Sequence, residues 1–334
     1  MKPAFISESG IRMDLLFQTY ANHPALITGD QSLSFSDVAV TLNLVLLNLQ
    51  KAGVRKGHRV AIHHANSELH LYLFLASWFL DCLYLTLDFK APLESLLPHR
   101  KIDFLVAECP PNSHENDRII HPKHLLVSSA PDESTISRPP AHSTMFARFE
   151  TSSPLIPFDR EASAVFTSGS TGSPRGIVHT VGNYVYSALG TNALIDLESS
   201  DRWLLSLPLF HVGGILIWVR TLIAGCTCIL PRPVQNLGSA IKQYHPSVVS
   251  LVPAQLIRLL DHDETVCVLK TMKTIMLGGA PSPAWLIEKA LNLDLPIMPT
   301  YGCTESCAQV SGVIRNSPRK FYFTSGRPAS KHSH

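Results

Sequence analysis

An apolar triplet, Ala164-Val165-Phe166, runs straight into Thr167-Ser168-Gly169-Ser170-Thr171-Gly172-Ser173-Pro174-Arg175-Gly176. After Gly182 the pattern turns helical through Tyr186 and Leu189. A buried strand, a small-residue loop and a helix in that order make a unit of layered α/β folds. The loop can turn its backbone N–H groups and hydroxyls toward an anion, and Arg175 adds a fixed positive charge for phosphate oxygens. It is not a Walker A loop: that motif needs Gly-Lys-Ser/Thr five residues after its first Gly, where Pro174 stands here. The competing reading is a surface linker, yet linkers seldom follow a buried strand directly or end in a rigid Pro-Arg-Gly.

The rest of the chain agrees with α/β layers. Val38 to Lys51 is apolar at helical spacing, with Gly53 where a helix is capped. Short strands are expected at Val60-Ala61-Ile62, Leu83 to Leu87, Trp203 to Leu207, Cys226 to Leu230, Val248 to Val252 and Thr274 to Leu277. The run from Leu69 to Leu87 is long and apolar enough to raise a membrane question. Asp81 inside it costs about 2.5 to 3.5 kcal/mol at mid-bilayer, and the run splits into a buried helix and a strand, so no membrane insertion is expected. Proline and serine between residues 109 and 160 mark a loop connecting two sub-lobes. The expected division is 1–157 for the first sub-lobe with its loop, 158–328 for the second, and a tail at 329–334.

With 45% hydrophobic and 16% charged residues among 334, the chain can bury a large core. A net charge of +2 without a Lys/Arg block gives no footprint for nucleic acid. Seven scattered cysteines without Cys-x-x-Cys, and a start lacking a signal peptide, lead to the expectation of a reducing cytoplasm. His63-His64 has no ligand spacing, so metal binding by histidine is not expected.

The segment Ser168-Gly169-Ser170-Thr171-Gly172-Ser173-Pro174-Arg175-Gly176 resembles the phosphate-loop signature of the adenylate-forming superfamily: acyl-CoA synthetases, luciferases and peptide-synthetase adenylation domains. Asp201-Arg202-Trp203 followed by Pro208-Leu209-Phe210-His211-Val212-Gly213-Gly214, then Gly278-Gly279-Ala280, then Tyr301-Gly302-Cys303-Thr304-Glu305, resemble later motifs of that family in the same order. Leu33 to Asp37 and Gly53 to Ile62 resemble its opening units. Within the superfamily, Gly182-Asn183, Tyr186-Ser187-Ala188, Asp201 to His211 and Leu251 to Leu256 are most similar to o-succinylbenzoate:CoA ligases of menaquinone synthesis; medium-chain acyl-CoA and aryl-CoA synthetases share much of this text.

The resemblance implies an α/β fold of layered α/β/α sub-lobes. It also implies a carboxylate:CoA ligase that uses ATP, Mg²⁺ and CoA as co-substrate on a small-molecule carboxylate. In that scheme Ser168, Gly169, Ser170, Thr171 and Gly172 hold the β- and γ-phosphates, with Arg175 beside them. Thr304 bonds the α-phosphate, Glu305 helps to hold Mg²⁺, and His211 sits near the attacking carboxylate as a positioning or gating residue. Gly278, Gly279 and Ala280 admit the adenine, with Tyr301 and Gly302 against its ring. Cys303 and Cys307 are expected to be small buried side chains.

Two departures stand out. Arg175 occupies the position where the family usually has Lys, and a planar fork reaches phosphate differently from a compact ammonium. After Gly326-Arg327-Pro328 the family's Thr-Gly-Asp segment, hinge and mobile C-terminal domain with its adenylation Lys do not appear, which gives the expectation of a truncated ligase, inactive or completed by a separately encoded C-terminal part. A non-catalytic nucleotide-binding module stays open as an alternative, as does a homo-oligomer.

Overall fold

A computed structural model describes residues 3–97, 100–108, 119–126, 155–167, 175–232 and 235–329. The first half of the chain contains β1 (Gly10–Arg12), α1 (Met13–Thr19), β2 (Pro24–Thr28), β3 (Gln31–Ser34), α2 (Phe35–Lys51), β4 (Arg59–His63), α3 (Glu68–Leu80), β5 (Leu83–Thr86), α4 (Leu93–Leu96) and β6 (Phe104–Ala107). There follow β7 (Ile119–Ile120), α5 (Pro122–Leu126), β8 (Leu155–Pro157), β9 (Glu161–Thr167), β10 (Arg175–Thr180) and α6 (Val181–Ile195). The remainder forms β11 (Arg202–Leu204), α7 (Val212–Ala224), β12 (Thr227–Leu230), α8 (Leu237–Tyr244), β13 (Val248–Leu251), α9 (Pro253–Leu259), α10 (Asp263–Lys270), β14 (Thr274–Leu277), α11 (Ala284–Asn292), β15 (Ile297–Cys303), β16 (Ala308–Gly312) and β17 (Arg327–Pro328).

Two compact units result. The first gathers Met1–Asn22, Phe35–Ala164 and Val178–Gly182; the second gathers His23–Ser34, Val165–Ile177 and Asn183–His334. In the first, β5, β4, β6 and β7 lie side by side and parallel, as expected of strands fed by crossover helices. The apolar run from Leu69 divides at Asp81, which adopts the left-handed conformation (φ 54°) and ends α3. Its carboxylate pairs with Lys56 at 2.8 Å and Arg160 at 3.5 Å. Among the described residues no helix is long and apolar enough to cross a membrane.

Gly182 departs from expectation. The helix begins one residue earlier, at Val181, with Gly182 inside it. A side chain there would meet the Phe158 carbonyl oxygen at 2.9 Å, so glycine serves close packing here and marks no boundary. The segment expected to be a loop between 109 and 160 also holds β7, α5 and β8. Two-residue and three-residue strands are too short for a period to show.

The second unit is built on a nine-stranded sheet in the order β17-β16-β15-β14-β13-β11-β12-β2-β3. From β15 through β2 the neighbours are parallel, and antiparallel strands close both edges. Leu204, Ile229, Val249, Ile275 and Ile297 from consecutive strands share one core with Ile241, Leu256 and Leu286 from the covering helices. Buried on both faces, these strands read as continuous apolar runs, which is why Thr274 to Leu277 was legible to the residue. At Trp203 the expected strand is shorter than its apolar run. It ends at Leu204, because Ser206 turns away: its hydroxyl donates to the Ser250 carbonyl and its own carbonyl accepts from Gln255 Nε2 at 3.1 Å.

Candidate nucleotide and acyl site

The order of the second sheet reverses at β11. From β11 the chain passes through α7 to β12 on one side, then through α8 to β13 on the other. Such a reversal leaves a crevice outside the carboxyl ends of the strands, the usual place for a ligand in an open α/β sheet. The segments that follow those ends are Leu205 to His211 after β11, Val252 to Gln255 after β13 and Gly278 to Ala280 after β14.

Hydrogen bonds lace these ends together. Gln255 accepts from the Val252 N–H at 2.9 Å while donating to Ser206. The Gly278 N–H donates to the Leu251 carbonyl at 3.1 Å. Gly278 must be glycine, since a Cβ would lie 2.3 Å from Thr300 Oγ1, and Gly279 takes φ +76° with Val252 close by. The result is a bare stretch of backbone between β13 and β15 on which a flat ring can lie. Ala280 continues it and is exposed.

His211 caps α7 with extended backbone, exposed, its ring 4.5 Å from that of Phe210. Its carbonyl accepts from the Gly214 N–H at 3.0 Å. Gly214 permits this turn, because a Cβ would stand 2.1 Å from the Pro208 carbonyl oxygen.

Tyr301 and Gly302 lie on β15, and Thr304 and Glu305 fall in the turn to β16. Tyr301 is 57% exposed, Glu305 is exposed, and Thr304 is half-buried. The turn is held from within by Ser306, whose hydroxyl bonds the Cys303 N–H and carbonyl and the Ala308 carbonyl at 2.9 to 3.1 Å. It is held from below by α6: Ser187 Oγ donates to the Cys307 carbonyl at 2.8 Å and Thr191 Oγ1 to Gln309 at 2.9 Å. The helix that directly follows β10 thus grips the hairpin carrying Thr304 and Glu305. Cys307 is buried, its thiol pushed up to about 12 by burial. Cys303, expected to be buried, is exposed, because it sits where the hairpin leaves the sheet, with Sγ 3.4 Å from Ser306 Oγ.

Arg175 opens β10, exposed, and its carbonyl accepts from Thr167 Oγ1 at 3.5 Å. No described contact joins it to the hairpin. Ser168, Gly169, Ser170, Thr171 and Gly172 lie outside the described residues.

One residue escaped the sequence reading. Arg220 is the only charged residue of α7 and is 2% exposed. Its Nε and Nη2 are sealed from solvent without a hydrogen-bond acceptor among the described residues, and burial lowers its pKa to about 10, which leaves it a cation at neutral pH. Arginine is almost never fully buried without a partner. Here the guanidinium carbon sits over the Trp203 ring, 5.4 Å from its centroid, while the Arg220 carbonyl accepts from Asn192 Nδ2 at 3.0 Å. The signal in the sequence was a lone Arg inside the apolar run from Ile215 to Ala224.

Comparison with known proteins bears on the family and the fold. The chain is 28% identical over 298 residues to 2-succinylbenzoate--CoA ligase of Bacillus subtilis (86% of this chain, 57% of that one) and 27% identical over 298 residues to the ligase of the same name from Enterococcus faecalis (88% and 59%). It therefore spans less than two thirds of these relatives. Wild-type E. coli MenE with a bound m phenylether-linked analogue of OSB-AMS superposes with a TM-score of 0.75 at 26% identity, over 96% of this chain and 65% of that one. MenE from Bacillus subtilis in complex with ATP and magnesium ion shares the fold, with a TM-score of 0.76 at 24% identity over 94% and 64% of the two chains. The family model for AMP-binding enzyme matches residues 16–332, which takes in the crevice, the glycine stretch and the Tyr301 hairpin alike, and the chain belongs to that family.

Proposed function

We propose that this chain forms the nucleotide- and acyl-binding part of an ATP-dependent acid:CoA ligase whose acid is 2-succinylbenzoate. The observation that carries the choice of acid is Arg220. A buried cation without a counter-ion is unfavourable in isolation and favours a ligand that brings a carboxylate to it. 2-Succinylbenzoate has two carboxylates, so one can react while the other faces the arginine; a fatty acid has only one.

The chemistry runs in two steps. An oxygen of the acid attacks the α-phosphorus of ATP, the bond to pyrophosphate breaks, and an acyl-adenylate forms. The CoA thiol then adds to the acyl carbonyl and AMP leaves. A carboxylate is already a nucleophile, so no general base is needed, and His211 at the head of α7 serves to position it. Thr304 donates to the α-phosphate, and the loop from Ser168 to Gly172 with Arg175 holds the outer phosphates. Adenine lies on Gly278, Gly279 and Ala280, with Tyr301 and Gly302 at its edge. These donors act where negative charge builds up, which stabilises the transition state above the ground state.

The donor set fits magnesium. Among the described residues no three acids, histidines or cysteines converge on one point, and Glu305 stands alone and exposed on its turn. Mg²⁺ suits such a place, because it takes one or two carboxylates and fills its shell with phosphate oxygens and water. When bound, it neutralises phosphate charge.

Titration calorimetry of the 334-residue chain with the sulfamoyl analogue of 2-succinylbenzoyl-AMP and with the decanoyl analogue tests the reading. The aromatic diacid is expected to bind at least about tenfold more tightly, a difference of ~1.4 kcal/mol. Equal affinities would sink the choice of acid. No heat with either, from a protein that melts cooperatively, would sink nucleotide binding as well.

A further inference from the structure

Arg220 carries its charge on an unusual support. Trp203 is fully buried on β11, and its indole Nε1 donates to Ser250 Oγ at 3.3 Å on the neighbouring strand β13. That bond fixes the ring plane, and the face it presents is the one under the Arg220 guanidinium. The main chain at Arg220 is held independently by Asn192. An aromatic face is a weak counterpart for a cation compared with a carboxylate, yet in a desolvated place it is enough to hold the guanidinium and leaves its charge unspent. A carboxylate there would have neutralised the charge; an aliphatic side chain would have left it unsupported.

We propose that Trp203 is a positioning residue for acid selectivity: through its indole face it holds Arg220 as a cation with no counter-ion among the described residues, so that the site prefers acids with a second carboxylate. This rests on the reading of Arg220 given above. The residue acts through Arg220 and touches neither the nucleotide nor the reacting atoms.

The test measures the affinities of the 2-succinylbenzoyl and decanoyl sulfamoyl-adenosine analogues for Arg220→Met, Trp203→Leu, Trp203→Phe and the double variant Trp203→Leu/Arg220→Met, with a thermal melt of each. Arg220→Met is expected to abolish the preference for the diacid. Trp203→Leu is expected to weaken the diacid analogue about tenfold and the decanoyl analogue by less than about twofold. Trp203→Phe, which keeps an aromatic face, should restore diacid binding to within about threefold of the natural protein. In the double variant the leucine should cost nothing beyond the methionine, because a group that acts through Arg220 has nothing left to act on.

If Trp203→Leu weakens both analogues equally, or adds its full effect in the double variant, the tryptophan is structural only and the proposal fails while Arg220 keeps its role. A diacid preference that survives Arg220→Met overturns both readings at once. Should Trp203→Leu not fold, the cycle is run with Trp203→Met, which also removes the aromatic face, and a loss of equal size with and without Arg220 overturns the proposal.

Discussion

Gly302→Ala is expected to lower the affinity for the 2-succinylbenzoyl sulfamoyl analogue by at least about 100-fold and to destabilise the protein by about 2 to 4 kcal/mol. A Cβ at this position would lie 1.9 Å from the Ala308 carbonyl oxygen and 2.8 Å from Gln309 Cα, both backbone atoms. The facing strand has no room to retreat. Cys307 and Ala308 already hold left-handed conformations (φ 56° and 67°), and strain of that kind persists only where surrounding bonds impose it. Those bonds are Ser187 to the Cys307 carbonyl and Ser306 to the Ala308 carbonyl. Opening the hairpin would break them and displace Thr304 and Glu305, which the proposed function places at the α-phosphate and the metal. Gly213→Ala is the matched control, because its Cβ would meet only Leu207 Cδ1 at 3.4 Å, inside α7. Alanine there is expected to be neutral or stabilising by up to about 1 kcal/mol. Thermal melting and titration of the two variants check the contrast. Similar losses in both would mean that the hairpin tolerates the added carbon by a route this geometry does not contain.

How far the sequence revealed these features depends on whether their cause is local. The parallel strands at 248–251 and 274–277 stood out because burial on both faces leaves a continuous apolar run between breakers. The hairpin β2–β3 lies in the second sheet because Leu26 pairs with Cys228 and Thr227 Oγ1 bonds the Pro24 carbonyl, partners 203 residues apart for the latter pair, and periodicity carries no trace of such a pairing. Gly182 looked like a boundary because glycine usually marks one; its real constraint is the Phe158 carbonyl, invisible without the fold. The motif residues of the candidate site were legible as text by resemblance, while the reversal of strand order at β11, which puts the segments after β11, β13 and β14 at the same ends of neighbouring strands, is a property of topology. Arg220 was missed for the opposite reason. It belongs to no motif read from the sequence, and its meaning lies in the counter-ion absent among the described residues.

Asp201, within the motif Asp201-Arg202-Trp203, illustrates a residue whose family signature and physical role differ. It sits at the amino end of β11, away from the crevice, and is 7% exposed. Its carboxylate accepts from Ser247 Oγ at 2.7 Å, from Lys273 Nζ at 2.9 Å and from the Glu198 N–H at 2.9 Å. Ser247 and Lys273 immediately precede β13 and β14, so one side chain ties together the starts of three adjacent strands whose far ends lead into the segments of the candidate site. Asp201→Ala is expected to lower the unfolding free energy by about 2 to 4 kcal/mol, since it strands the Glu198 N–H and takes away the acceptor shared by Ser247 and Lys273, although Lys273 keeps the Asp196 carbonyl. Lys273→Met should cost about 1 kcal/mol: the lysine side chain is 28% exposed, and Asp201 keeps two donors when it is gone. Urea unfolding of both variants measures the two values. The asymmetry is the decisive quantity, because a simple ion pair would give the same loss from either side, whereas a carboxylate that organises three strand ends gives a much larger loss from its own removal.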